Sequence, residues 1–277
     1  MNRACVIGWP VEHSRSPLIH GYWLKEYGID GSYTKEAVRA EEVAEFLRGL
    51  KERGFVGCNV TVPHKEMAFA IAEEAEESAR VVQAANTLWL EGDRLFAANT
   101  DTYGFMTYLS HSVPDWRAHD GPVCVLGAGG AARAIVYGFL DAGVDEVRVF
   151  NRTRSRAEAI AEQFGPRVKA FDWTNRSDGA RDACVLVNTT AAGLKGAGTL
   201  GMDFGGFNQD CVVADIVYVP LETEFLAQAR AQGLRTVDGL GMLLHQAVPG
   251  FEKWFGVRPQ VTDKLRAVLV ADIEGRT

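Results

Sequence analysis

Apolar positions along the chain follow two rhythms. Short continuous runs alternate with longer stretches in which apolar residues recur every three or four positions. Runs of the first kind suit strands buried on both faces, and the second kind suits helices with one buried face. In chain order the pattern predicts a strand over 3–8, then a helix to residue 27 with Ser16 as N-cap, Pro17 in its first position and Gly28 as its stop. A strand over 32–37 follows. Next comes a helix over 41–53, with Val43, Phe46, Leu47 and Leu50 on one face and Gly54 ending it. A strand over 55–60 leads into Pro63, where a helix begins with Lys65 in its first turn, and 73–82 continues helically. Strands 85–90 and 94–98 make a hairpin about Gly92-Asp93. A helix over 102–110 and a polar surface loop over 111–121 precede a strand at 123–126 and a helix at 131–140.

From there strands and helices alternate: strand 146–150, helix 154–164, strands 168–171 and 184–188 with a polar link at 177–182. A glycine-rich loop is expected over 193–206. A strand over 211–217, a helix over 223–231 and a short strand over 235–237 come next. Asp238-Gly239-Leu240-Gly241-Met242 opens a helix over 243–255, and a last helix covers 262–273. Such alternation predicts an α/β protein whose later part is a doubly wound parallel sheet. Two helices remain after that sheet is finished, more than it needs, and are expected to cross back to the first part.

Composition narrows the class. The chain has 277 residues, enough for two modest domains or one large one, and 47% hydrophobic and 23% charged residues, as in ordinary globular proteins. Its net charge of −7 argues against a general nucleic-acid or anionic-membrane binder. No apolar run approaches the roughly 20 residues that cross a bilayer. The first residues look strand-like rather than like a signal peptide, so a cytoplasmic protein is expected. Cys5, Cys58, Cys124, Cys184 and Cys211 each lie in or beside an apolar run, with no C-x-x-C pair, and read as buried free thiols. The histidines show neither H-x-x-x-H nor H-E-x-x-H, so no metal site is expected. The oligomeric state stays open, a homodimer included.

The candidate chemistry centres on Pro122-Val-Cys-Val-Leu-Gly-Ala-Gly-Gly-Ala-Ala-Arg-Ala-Ile135. A buried strand runs into Gly127, Gly129 and Ala132 at G-x-G-x-x-[GA] spacing, and a helix follows. Gly127 allows the sharp turn, Gly129 allows close approach of a pyrophosphate, and Ala132 lets the helix pack on the strand. The helix start offers bare N–H groups to the phosphates. The alternative is a tight turn that binds nothing. After the next strand stand Asn151-Arg152-Thr153-Arg154-Ser155-Arg156, with no acid to hold a ribose 2′-hydroxyl. Three arginines in an acidic chain favour a 2′-phosphate, hence NADP over NAD, against a merely solvated helix start.

Earlier in the chain, a lysine at a helix start sits against the helix dipole. Lys65 is therefore either a solvated surface residue or an acid/base group. Ser14 and Ser16 flank a helix start and serve either as caps or as a carboxylate site. Asn86 and Asp101, at the two ends of the hairpin, are turn-makers or facing cleft residues.

Seven ordered segments together resemble the shikimate dehydrogenase family over nearly the whole chain. They are S-R-S-P from Ser14, N-V-T-V-P-H-K from Asn59, A-N-T from Ala85, N-T-D from Asn99, G-A-G-G-A-A from Gly127, N-R-T from Asn151 and D-G-L-G-M-L-L-x-Q from Asp238. The resemblance implies that Ser14 and Ser16 hold a substrate carboxylate. It implies that Thr61, Asn86, Asp101 and Gln246 hold ring hydroxyls and the reacting centre, and that Tyr218 also faces the substrate. Lys65 and Asp101 become the catalytic pair. Gly127, Ala128, Gly129, Gly130, Ala131, Asn151, Arg152, Thr153, Arg156, Ile216 and Gly239 become the NADP site.

The implied organisation is a substrate domain of residues 1–102 and 240–277 with an inserted Rossmann NADP domain of residues 103–239. The implied reaction is reversible oxidation of shikimate to 3-dehydroshikimate with NADP. An NAD-using quinate/shikimate dehydrogenase and a non-catalytic nucleotide-binding regulator on the same fold are the alternatives. Departures from the usual pattern are Gly21 for an asparagine, Asn188-Thr189-Thr190-Ala191 for N-A-T-S and Ile216 for a methionine. They bear on cofactor affinity more than on reaction type.

Overall fold

The computed structural model describes residues 1–194 and 197–275. Two of the residues in the loop expected over 193–206, 195 and 196, lie outside the described residues. The chain forms two compact units, Met1–Gly104 with Leu244–Thr277, and Phe105–Leu243.

The first unit begins with β1 (Asn2–Gly8), α1 (Ser16–Glu26), β2 (Gly31–Ala37), a 3₁₀ turn at Ala40–Glu42, α2 (Val43–Arg48) and β3 (Gly57–Val60). Then come α3 (Lys65–Ile71), β4 (Glu74–Ala75), α4 (Glu77–Val82), β5 (Thr87–Glu91), β6 (Arg94–Ala98) and the start of α5 (Asp101–Ser112). Its mixed sheet has the order β2-β1-β3-β5-β6-β4. Parallel β1 and β3 bury nearly every residue, as strands covered on both faces must. Strands β5 and β6 form the expected hairpin, with Thr87 opposite Ala98, and Gly92 takes the positive φ its turn needs.

Several expected boundaries moved, each because a contact outside the local pattern prevailed. Ser16 is the first residue of α1 rather than its cap, and Ser14 Oγ accepts the orphaned Ser16 N–H at 3.3 Å. The helix expected over 41–53 is α-helical only through Arg48, because the chain then turns to bury Leu50 in the core. Of the residues expected to be helical over 73–82, only those of α4, Glu77–Val82, are so, and 73–76 do not continue α3. The N–H groups of Glu73 and Glu76 bond to the carbonyls of Leu95 and Ala97, and β4 pairs with β6. An open strand edge outbid helix propensity there.

The second unit carries β7 (Val123–Leu126), α6 (Gly130–Asp141), β8 (Val147–Asn151), α7 (Arg154–Phe164) and β9 (Val168–Asp172). After them come β10 (Val185–Asn188), β11 (Val212–Asp215), α8 (Glu224–Ala231), β12 (Arg235–Val237) and the start of α9 (Gly239–Phe255). The sheet is wholly parallel in the order β12-β11-β10-β7-β8-β9, the doubly wound arrangement that the alternation predicted. The chain moves outward from β7 to β9 and then restarts on the other side at β10, so the order reverses between β7 and β10. Val123 and Val125 enter one core cluster and Cys124 and Leu126 the other, so helices cover both faces. The loop expected over 111–121 is only partly a surface one. Helix α5 extends to Ser112, and Trp116 is buried edge-on to Phe139 at 5.5 Å. All five cysteines are buried and free.

The boundaries between units fall inside α5 and α9. Leu244 to Phe255 of α9, with α10 (Asp263–Ile273), packs in the first unit. There Phe251 and Trp254 join Trp23 and Tyr33 around His20, whose ring stacks on Tyr33 at 4.0 Å. Among the described residues no helix is long and apolar enough to cross a membrane.

His20 is fully buried, and neither ring nitrogen has a hydrogen bond of ordinary geometry. Burial, offset only in part by neighbouring Asn59, brings its pKa down from 6.5 to about 3. Unfolding therefore takes up a proton below pH 6.5, and this contribution to stability is lost as the pH falls. The wild-type free energy of urea unfolding should drop more steeply than that of H20F between pH 6.5 and 4.5. The difference in slope should reach up to about 1.36 kcal/mol per pH unit. Parallel curves would contradict the neutral buried imidazole.

Candidate active site

Lys65 is the first residue of α3, at the end of the turn that follows β3. Its Nζ donates to Asp101 Oδ2 at 2.5 Å, and the two side chains are 23% and 9% exposed. The lysine is thus ion-paired in a largely closed setting, not a solvated surface residue. Asp101 opens α5, where its N–H bonds to Asn99 Oδ1 at 3.1 Å. The other carboxylate oxygen accepts Asn86 Nδ2 at 2.9 Å. The amide of Asn86 cannot turn over without loss, because its Oδ1 accepts the Thr100 N–H at 2.7 Å. Gln246, on the part of α9 in the same unit, lies 3.4 Å from Asn86 Nδ2 through its Oε1.

The hairpin explains why these groups meet. Asn86 precedes β5 and Asp101 follows β6, so the paired strands bring both to the open end. Asn59 ends up beneath them. Its Oδ1 accepts the Tyr33 hydroxyl at 2.6 Å, and its Nδ2 donates to the Asn86 carbonyl at 3.0 Å and to Thr87 Oγ1 at 3.1 Å. Thr61, just beyond β3, anchors its N–H on the Ile7 carbonyl at 2.9 Å. Ser14 and Ser16 face each other with their hydroxyls 3.3 Å apart, and Arg15 between them is paired to Asp272 of α10 at 2.7 Å.

The structure thus joins Lys65, Asp101, Asn86 and Gln246 in one bonded group and sets Ser14 against Ser16. Asn59, Thr87 and Thr100 support that group and were missed. All three stand inside the quoted motifs, so the signal was the motif itself rather than the residues picked from it.

The glycine stretch lies in the second unit. Gly127 has φ +110°, and a Cβ there would come within 2.7 Å of Thr189 Oγ1. Gly129 and Gly130 begin α6 with open space where side chains would be, no acid in the first turn and no side chain capping the helix. Ala128 and Ala131 flank them, and Ala132 is buried against the sheet. Bare N–H groups over open space suit a phosphate group. Beyond β8, Asn151 Nδ2 bonds to the Thr153 carbonyl at 2.8 Å. Of the three arginines, Arg154 is taken up by Glu158 and Asp172, whereas Arg152 and Arg156 are exposed with no carboxylate partner among the described residues. This donor set, two free guanidinium groups and no acid, fits the 2′-phosphate of NADP.

Ile216, Tyr218 and Gly239 belong to the same unit. Ile216 extends from β11 with its N–H on the Asn188 carbonyl at 3.1 Å, and Tyr218 is half-buried. A Cβ on Gly239 would lie 2.4 Å from the Ile216 carbonyl oxygen. Asp215, which the sequence reading passed over, is 1% exposed and accepts three hydrogen bonds. Burial pushes its carboxyl up to about 6 despite those donors.

A doubly wound unit with such a glycine turn, together with a second α/β unit holding a lysine–aspartate pair, defines the class of two-unit nicotinamide-dependent dehydrogenases. Comparison with known proteins narrows this further. Residues 6–88 match the family model for the shikimate dehydrogenase substrate binding domain, 110–195 that for shikimate / quinate 5-dehydrogenase, and 239–269 that for the shikimate 5′-dehydrogenase C-terminal domain. Shikimate dehydrogenase (NADP(+)) of Azorhizobium caulinodans is 53% identical over 276 residues, covering 100% of this chain and 98% of its own. The protein of that name from Brucella abortus is 54% identical over 275 residues, 98% of this chain and 94% of its own.

Among solved structures, shikimate 5-dehydrogenase of Thermus thermophilus in complex with NADP(H) and shikimate has a TM-score of 0.86 at 36% identity, covering 100% of this chain and 99% of that one. Quinate dehydrogenase of Corynebacterium glutamicum in complex with NAD has a TM-score of 0.89 at 30% identity, covering 98% and 99%. The chain belongs to the shikimate dehydrogenase family.

The contact at Gly239 is unforgiving, since backbone rather than a mobile side chain blocks the space. G239A should lower the stability of the second unit by about 1–3 kcal/mol in urea unfolding. An unchanged midpoint would show that α9 does not pack as described.

Proposed function

We propose that the chain catalyses the reversible oxidation of shikimate to 3-dehydroshikimate with NADP, the first unit taking the acid and the second the dinucleotide. The observation that carries this reading is the 2.5 Å pair of Lys65 and Asp101, held by Asn86. When bound, the cofactor supplies or accepts the hydride, and the protein supplies orientation and one proton. In the reducing direction the Lys65 ammonium gives a proton to the carbonyl oxygen as charge builds there. In the oxidising direction the neutral amine takes the proton from the hydroxyl. Asp101 keeps the amine aimed, and its second oxygen is fixed by Asn86. Such positioned acid/base help contributes about 10² to 10⁴ in rate.

Ser14 and Ser16 hold the substrate carboxylate through their hydroxyls. Thr61, Asn86, Asp101 and Gln246 hold the ring hydroxyls, and the role of Tyr218 rests on the family resemblance alone. Gly127 to Ala131 cradle the pyrophosphate. Asn151, Arg152, Thr153 and Arg156 take the 2′-phosphate side, and Ile216 and Gly239 the nicotinamide side. The unpaired Arg152 and Arg156 favour NADP over the NAD of a quinate dehydrogenase. The intact Lys65–Asp101 pair favours an enzyme over a nucleotide-binding regulator. A cytoplasmic setting belongs to the same proposal, in keeping with five buried thiols.

K65A should lose about 10² or more in kcat with KM for shikimate little changed, whereas S14A/S16A should mainly raise that KM. A K65A variant keeping most of its turnover, or an unchanged KM in the serine variant, would remove the corresponding role. R152A/R156A should raise KM for NADPH about tenfold or more and leave NADH kinetics nearly unchanged. An equal loss with both cofactors would contradict the 2′-phosphate assignment.

A further inference from the structure

Asp215 is the last residue of β11, and its carboxylate ties together three segments. Oδ1 accepts Asn188 Nδ2 and the Val217 N–H, each at 2.9 Å, and Oδ2 accepts the Thr223 hydroxyl at 2.7 Å. Asn188 ends β10, Val217 lies in the run after β11, and Thr223 is the N-cap of α8, where its Oγ1 also accepts the Leu226 N–H. All three donors are neutral, and among the described residues no other charged or titratable group bears on this carboxylate. A buried charge without a cation is costly, and capping α8 does not require one.

The neighbouring bonds show what the charge organises. With Nδ2 turned to Asp215 and to the Ala192 carbonyl at 3.0 Å, Asn188 presents Oδ1 to the Thr190 N–H at 2.9 Å and to its hydroxyl at 2.8 Å. The Asn188–Ala192 turn therefore has one amide orientation. On the other side the Val217 bond holds the segment 216–218, against which Gly239 packs. Charge-assisted bonds of this kind are roughly twice as strong as neutral ones. Both segments lie at the carboxyl ends of β10 and β11. In the sheet order they are across β7 from β8 and its arginines. A dinucleotide with its pyrophosphate at the end of β7 and its 2′-phosphate beyond β8 must lay its other half over β10 and β11.

We propose that Asp215 is a positioning residue for the nicotinamide half of the cofactor, its carboxylate fixing the segments 188–192 and 216–218 that shape that half of the site. The inference rests on the NADP reading above and adds a residue and a half-site to it. Charged Asp215 holds the segments, and protonated Asp215 loses one acceptor to its own proton.

The full chain is titrated with NADPH, followed by the emission of the bound nicotinamide, and with adenosine 2′,5′-bisphosphate, which lacks the nicotinamide half, as a competitor against NADPH. D215N should raise the Kd of NADPH roughly tenfold and leave the Kd of the bisphosphate within about twofold. T223V, which keeps the carboxylate and removes one donor, should raise the NADPH Kd alone and by less. Relative to D215N, the ratio of the two affinities in the wild type should turn against NADPH as the pH falls through about 6, where Asp215 gains its proton. The bisphosphate alone carries a 5′-phosphate monoester, which itself titrates at about 6, so dividing the wild-type ratio by the D215N ratio is what removes the titration of both ligands. Equal weakening of both ligands would make Asp215 a purely structural residue, and no change in either would leave its charge without a role; both overturn the inference while the NADP reading stands. A wild-type chain that binds neither ligand overturns both.

Discussion

The ion pair between Lys65 and Asp101 is the interaction on which the chemistry proposed for the first unit depends, and neither partner makes it alone. A lysine at a helix start and an aspartate at the head of another helix are each ordinary. They meet because β5 and β6 pair in one register, with Thr87 opposite Ala98, so that Asn86 and Asp101 leave the hairpin at the same end. A slip of one residue would turn Asn86 to the other face and leave the carboxylate without its second donor. The Thr100 N–H on Asn86 Oδ1 then removes the remaining freedom, the amide's choice between its two orientations.

The second unit solves a different problem with different means. Its sheet is buried on both faces and offers little polar chemistry except at the strand ends. There, backbone makes most of the proposed dinucleotide site: Gly127 turns, and Gly129 and Gly130 leave open space over bare N–H groups. Side-chain charge there includes the free guanidinium groups of Arg152 and Arg156 beyond β8 and the buried carboxylate of Asp215 at the end of β11. Raising the Asp215 carboxyl from its ordinary 3.8 to about 6 corresponds to about 3 kcal/mol of disfavoured ionisation at neutral pH. A polypeptide tolerates such a cost where the charge sets a geometry that uncharged groups would leave loose.

Much of this was legible where local rules and tertiary demands agree. The strand into Gly127, the helix Arg154–Phe164 and the short strand Arg235–Val237 were each readable from pattern and punctuation. The misses share one cause, a partner that the local pattern does not name. Glu74 and Ala75 have nothing strand-like about them until β6 presents an unpaired edge. Ser16 looks like a cap until Ser14 takes its N–H. Asp215 looks like the polar end of a strand until Asn188 and Thr223 close around it. In the site, Lys65 and Asp101 were nameable from motifs; Asn59, Thr87 and Thr100 stand in the same motifs, but the bonds by which they hold the group in place form only once the strands are paired.

The proposed chemistry joins a proton handled by Lys65 to a hydride exchanged with NADP. The most direct measurement is a set of initial rates for the full chain, followed at the NADPH and NADH absorbance band, with shikimate and quinate each paired with NADP+ and NAD+. The account predicts the highest kcat/KM for shikimate with NADP+. Turnover with none of the four pairs, or a preference for quinate with NAD+, would contradict it.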